Sequence, residues 1–465
     1  AADAEAAVMY AYGTLNYLEY SRTIFFLGDM ASETMTTKSD ASADNQDLNN
    51  WKVGNFKTNG SLENFFKYAF IGVNRANAVI KKVPDAGFSQ EQKDLFLGEA
   101  YFLRAWNYFN LVRNFGLVPL HKSVVETVDQ TSTALAPDMD AMYDLILSDC
   151  RRAAELLPVY ETPKIGRADR VAAQALAAKA YLYVASAKEH GVKLYRDMHR
   201  DATVMYDSAA YFAGEVIEKQ SVYGFESSLL DIYDVEKARG KEHIFIMAMD
   251  RSGSSEGQYS KISKMFIPYI DGATLYLKQG DKDEYIPTHD GWGEYQTTVA
   301  FYNTFDASDK RKTELIVDKV YKADGTLLGE YPGKIPYPFC RKYIDPKFEG
   351  DKTSTRPFLL RFSDVALIYA EAAGPTAKAY ELVNFIRSRA GLGDMKPNLG
   401  KDEFRREILK ERTFELAFEG DHVYDLRRWN RITTDVPEAA GLSEDQVTFY
   451  PIPQAEINLN GSLRP

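Results

Sequence analysis

Apolar residues recur at helical spacing through much of this chain. Residues 61–115 read as two helices. The first runs near Leu62 to Val83 and stops before Pro84, because a proline cannot continue the helix. The second starts after Ser89, with Gln92 three residues on as a capping-box partner, and ends at Gly116 and Pro119. Leu95, Leu97, Ala100, Tyr101, Tyr108, Leu111 and Val112 place apolar groups nearly all round it, which predicts burial on several sides. Further helices are predicted over 138–157, 168–187, 203–219, Ser363–Ala373, Thr376–Ala390 and Asp402–Phe418. In the 168–187 helix nine of twenty residues are Ala. Small side chains let neighbouring helix backbones approach closely.

The helical pattern breaks twice. Residues 28–60 are polar and rich in Asn, Ser, Thr and Asp. Residues 224–355 carry Gly, Pro and aromatics with short strand-like runs, Ile244–Met249 and Leu315–Tyr321. So long a loop-rich stretch is a packed subdomain or a functional surface. No βα alternation is present, which argues against Rossmann and barrel folds. The predicted fold is mostly α, with stacked tetratricopeptide-like helical hairpins of roughly 34 residues and a large loop-rich subdomain containing short strands. The helical scaffold covers about 61–220 and 359–430, the ligand-facing loops about 28–60 and 224–355, and an extended segment 431–465, all in one domain.

Composition narrows the functions. The 465 residues are 45% hydrophobic, and the net charge is −11 with no basic run. An acidic chain lacks the phosphate-neutralising surface that nucleic acid or an anionic membrane requires. No apolar run reaches the roughly 18–20 residues of a membrane helix. Cys150 and Cys340 form no metal or disulfide motif, and the six His are scattered, so neither a metal nor a cofactor is expected. The chain opens AADAEA without Met, which reads as a mature or trimmed form.

Five blocks then stand in order. LGEAYFLRAWNYFNLVRNFGLVPL (97–120) resembles the hallmark of the SusD/RagB family, and GRADRVAAQALAAKAYLYVA (166–185) its Ala-rich helix. LLRFSDVALIYAEAA with VNFIRSRAGL (359–373 and 383–392), ILKERTFELAFEGDHVYDLRRWN (408–430) and FYPIPQAEINLN (449–460) continue the resemblance. The resemblance implies a cell-surface lipoprotein over a SusC-like, TonB-dependent outer-membrane barrel. It would hold a nutrient, usually glycan, and catalyse nothing. Contact with the membrane would be through an N-terminal lipid anchor that this chain does not contain. The rival readings are a peptide-binding member of the same family, a tetratricopeptide-type scaffold without small ligand, and a glycosidase.

Sugar rings lie with their C–H faces on aromatic rings and turn hydroxyl edges to polar groups, so a site should combine exposed aromatics with amides and acids. Trp106 and Trp429 sit in helical blocks and read as scaffold. Trp51 (NNWKVG) and Trp292 (DGWGEY) sit in polar surroundings and are the expected stacking residues. Asn50, with Asn49 and Asp47, flanks Trp51; Tyr269, Tyr276, Tyr285 and Tyr295 accompany Trp292. Three further features are expected to be structural. Gly253–Gly257 matches G-x-S-x-G without the α/β sheet that a nucleophile elbow needs. Glu411, Glu415 and Glu419 share a helix face near Arg405, Arg406, Arg412, Arg427 and Arg428, the pattern of an ion-pair network. Asp281, Asp283 and Glu284 read as a solvated acidic turn rather than a Ca2+ loop.

Overall fold

The structure, a computed structural model, describes residues 2–162, 164–237 and 240–464. The chain forms two compact units whose segments interleave: 1–23, 51–222 and 424–465 in the first, 24–50 and 223–423 in the second.

The first unit is helical. Its helices are Ala2–Tyr12, Gly60–Lys82, Gln90–Phe115, Met139–Leu156, Arg170–Glu189 and Ala202–Glu218, with consecutive members from Gly60 onward packed as neighbours. Bounds agree with the expected ones to within a few residues because the caps are local. Gln92 N–H donates to Ser89 Oγ at 3.2 Å, and Ser89 N–H donates to Gln92 Oε1 at 3.2 Å. Gly116 ends that helix at φ 71°, in the left-handed region. The Ala-rich helix buries nearly its whole surface, which its small side chains permit. The N-terminal helix lacked a signal because its apolar residues show almost no sidedness. Residues 431–464 do not run as one extended segment: they carry short helices, Ile432–Asp435, Glu444–Thr448 and Gln454–Leu459, and Ser443 caps the second in a capping box with Gln446. Such short turns fall below the length at which periodicity is visible.

Among the described residues, the ten strands all lie in the second unit. They are β1 (Met35–Thr37), β2 (His243–Ile246), β3 (Thr274–Gln279), β4 (Lys282–His289), β5 (Tyr295–Thr297), β6 (Ile316–Val317), β7 (Lys319–Tyr321), β8 (Leu327–Glu330), β9 (Phe339–Cys340) and β10 (Phe358–Arg361). A four-stranded antiparallel sheet runs β4-β3-β7-β8; the others pair in twos, β1-β5, β10-β2 and β6-β9. One face of the larger sheet packs Leu275, Leu277 and Val320 onto Ile267, Ile335 and Ile344. The helices Phe362–Ala373, Ala377–Arg389 and Lys401–Glu415 complete this unit.

Charge is buried at the heart of the second unit. Glu411, Glu415 and Glu419 are ion-paired, as the sequence predicts, but largely with other partners. Arg311 reaches Glu411 at 2.6 Å; Arg361 bonds Glu242, Glu415 and Glu419 at 2.9–3.2 Å; Lys342 bonds Glu419 at 3.0 Å. Burial would raise the pKa of Glu415, but Arg389, Arg361 and Arg311 overcome it and hold this carboxylate below its ordinary range. Of the arginines named from sequence, Arg412 pairs with Asp364 at 2.8 Å and Arg428 with Asp425 at 3.0 Å. Glu411 and Glu415 on the helix, and Glu419 in the turn that follows it, each meet a cation.

Candidate functional site

The β1-β5 ladder unites the two loop-rich stretches. Met35 pairs with Thr297, Thr36 with Gln296 and Thr37 with Tyr295, so residues near 38–50 share a surface with residues near 290–297. Asn49 braces this corner: its Nδ2 donates to Met30 O at 2.7 Å, and its Oδ1 accepts from Thr36 Oγ1 at 3.1 Å. It is buried and committed, whereas its neighbour Asn50 is exposed. Lys38 ties the strand ends together by an ion pair to Glu294 at 3.0 Å. The hydrogen bond to Glu294 raises the pKa of Lys38, against a weaker pull from burial.

Trp292 lies in the connection from β4 to β5 and is 37% exposed. It is held by its backbone. Gly291 N–H donates to Pro268 O at 2.9 Å, Trp292 N–H to Lys264 O at 2.7 Å and Gly293 N–H to Ile267 O at 3.0 Å. The flanking glycines are required: a Cβ on Gly291 would sit 1.9 Å from Ile267 O, and Gly293 has φ 66°. Lys261 Nζ lies 5.7 Å from the indole centroid, a cation–π contact. Tyr269, 67% exposed, follows Pro268 on the segment to which Trp292 is pinned. The result is an exposed indole on a rigid shelf with a tyrosine beside its support.

Cross-strand pairing places Tyr276 opposite both Pro287 and Tyr321, and Tyr285 opposite Lys278. These residues therefore share the sheet face opposite Leu275 and Leu277. Tyr285 and Tyr321 touch edge-on with centroids 5.0 Å apart. Tyr321 was missed from sequence because only the β3-β7 pairing brings it to this face.

Two expected platform residues are core. Trp51 belongs to the first unit and is 3% exposed, stacked on Tyr450 at 6.0 Å and edge-on to Phe56 at 6.1 Å. Its φ of 53° turns the chain so that the ring points inward from a polar stretch. Tyr295, also 3% exposed, is locked among Phe25, Phe26 and Phe266. Neither offers a face to a ligand. Gly253–Gly257 is a turn, in which Ser254 Oγ donates to Gln258 Oε1 at 2.8 Å.

Among the described residues, no helix is long and apolar enough to cross a membrane, and no three His, Cys, Asp or Glu side chains are grouped to hold a metal. The shelf offers aromatic faces, a cation, amides and a paired carboxylate. That is the equipment for holding a polyhydroxylated ligand.

Comparison with known proteins gives a consistent result. Residues 7–182 match a family model described as starch-binding, associating with the outer membrane; residues 321–447 match the SusD family model. SusD-like protein P2 of Formosa agariphila is 26% identical over an alignment covering 100% of this chain and 92% of that protein. A structure described as a laminarin binding SusD-like protein superposes with a TM-score of 0.79 at 25% identity, covering 99% of this chain and 98% of that one. Surface glycan-binding protein A of Bacteroides thetaiotaomicron, solved with laminarihexaose, has the same fold, with a TM-score of 0.76 at 19% identity and 100% and 98% coverage.

Proposed function

This chain is a SusD/RagB-like protein, and from that premise we propose that it captures glycan at a cell surface through the Trp292 shelf. The single observation that carries the reading is the construction of that shelf. A large aromatic side chain is held open to solvent by three backbone bonds and a glycine that tolerates no Cβ. Water-exposed indole serves no folding purpose, and its rigidity lowers the entropy lost on binding. In the proposed mode a pyranose face lies on Trp292, with Tyr269 beside it. Lys38, Glu294 and Asn50 receive the hydroxyl edges. Tyr276, Tyr285 and Tyr321 extend the aromatic surface along the sheet.

The proposed role is binding and hand-over to a SusC-like, TonB-dependent barrel, by a lipid-anchored protein, with no bond of the glycan cleaved. Resemblance to the family is what supports the barrel, the anchor and a role without catalysis. A β-glucan of the laminarin type is the first ligand to try, because the 25%-identical structure bears that name. Native affinity gels containing laminarin, starch or xylan, run beside a peptide-library pull-down, test the reading. Retardation in at least one polysaccharide, without product release on chromatography, is expected. Retention of peptides with no retardation in any glycan gel would reverse it in favour of peptide capture.

A further inference from the structure

The second unit contains another cleft, of about 550 Å3, that shares no lining residue with the Trp292 shelf. It lies among the 228–235 segment, the β3-β4 turn and the 341–346 segment, with Leu230, Leu315 and Ile344 as apolar lining. Two charged groups in its wall have unused bonding capacity. Arg341 is 7% exposed. Its guanidinium donates to Lys278 O and to Gln279 Oε1, each at 2.6 Å, both neutral acceptors. It forms no ion pair with any described residue. Burial pushes its pKa down to about 10, and Glu314 offsets this only in part.

Glu314 is half-buried against Gly280 of the β3-β4 turn, where a Cβ would lie 3.3 Å from Oε1. Its carboxylate accepts no hydrogen bond from any described residue. Burial raises its pKa; Lys310 lowers it, Asp281 raises it and Arg341 lowers it.

A buried guanidinium without a carboxylate is costly, and so is a half-buried carboxylate without a donor. Guanidinium carries five N–H donors and carboxylate is acceptor-only. A ligand that bonds both must accept from Arg341 and donate to Glu314. A hydroxyl does both. A free anion would suit Arg341 and Lys282 but meet Asp231, Asp234, Asp281 and Glu284 in the lining; a cation would meet Arg341 and Lys282. The volume falls within the range of small-molecule sites.

We propose that this cleft is a polyol site for one neutral sugar residue, with Arg341 donating to its hydroxyls and Glu314 accepting from them. It rests on the glycan reading only for the class of ligand, and it does not use the shelf. The test is saturation-transfer NMR and calorimetry on the full chain, with D-glucose, D-galactose, D-mannose and L-fucose as probes and D-glucuronate as the charged control. One neutral sugar should bind one-to-one in the millimolar range, and glucuronate more weakly than glucose. Arg341→Met removes a buried group and tests folding as much as binding, so Glu314→Ala is the deciding variant. It should melt like the native protein and bind that sugar about tenfold more weakly, the loss of one charge-assisted hydrogen bond. Trp292→Ala removes the shelf, so one-to-one binding that persists in this variant belongs to the cleft. The proposal is overturned if none of the four sugars binds, if glucuronate binds best, if Glu314→Ala binds as well as native, or if Trp292→Ala abolishes binding. Laminarihexaose titrated alongside separates the two sites. Its failure with monosaccharide binding intact removes the shelf alone; the converse removes the cleft alone.

Discussion

Trp51 and Trp292 both stand in polar sequence, the first beside Asn and the second between Gly, and end in opposite environments. Trp51 stacks on Tyr450 inside a helical unit, and its ring contributes to stability. Trp292 is bonded through its backbone to the 264–268 segment and leaves 37% of its surface exposed. The difference teaches that the polarity of a tryptophan's neighbours says little about its burial. What decides is whether a distant segment supplies a ring to cover it, or a backbone to carry it.

Mutation should separate the two sites cleanly. Trp51→Ala should cost about 3–5 kcal/mol of stability, the usual price of a large core aromatic, read by urea denaturation. The folded fraction should bind glycan with native affinity. A smaller stability loss together with weakened binding would erase the contrast.

The buried carboxyl of Asp29, beside Gly420, should make stability depend on pH. Burial raises Asp29 to about 8; Asp421 and Glu419 reinforce this, while Gly420 N–H and His422 oppose it. Asp29 Oδ1 has no hydrogen-bond partner. A carboxyl with a folded pKa above its unfolded value favours the folded state only while protonated. Its contribution is therefore intact below the ordinary carboxylate range, falls as pH rises from about 4 to about 8, and is constant above. Melting experiments should show that decline, flattened in Asp29→Asn. Burial, and then Lys264, lowers the pKa of His289, just before the shelf.

Trp292→Ala should leave the denaturation midpoint nearly unchanged and weaken glycan binding by about 1–3 kcal/mol, the size of an aromatic stacking contribution. Lys261→Met removes the cation beside the indole and should cost about 0.5–1 kcal/mol of affinity, measured by calorimetry. If Lys261→Met weakened binding more than Trp292→Ala, charge rather than stacking would dominate the shelf.

The helices were legible from sequence because caps and periodicity act within a few residues; Ser89 with Gln92 announces its helix unaided. The site was half legible. Trp292 and Tyr269 could be chosen because Gly291, Gly293 and Pro268 lie beside them in the chain. Trp51 and Tyr295 could not be excluded, because Tyr450, Phe25 and Phe266, which cover them, are remote in sequence. The same distance hid the partners of Glu415, which are Arg311, Arg361 and Arg389. It also hid the pairing that joins Lys38 to Glu294. Local chemistry predicts local structure; long-range pairing decides which aromatics are left for a ligand.

The most direct test is calorimetric titration of laminarihexaose, or of whichever glycan the affinity gels identify, into native protein and Trp292→Ala, with thermal melts of both. Matching melts are expected, with an affinity lower by about fivefold or more in the variant, the low end of a stacking contribution. Equal affinities with matching melts would contradict it and move the glycan site away from Trp292.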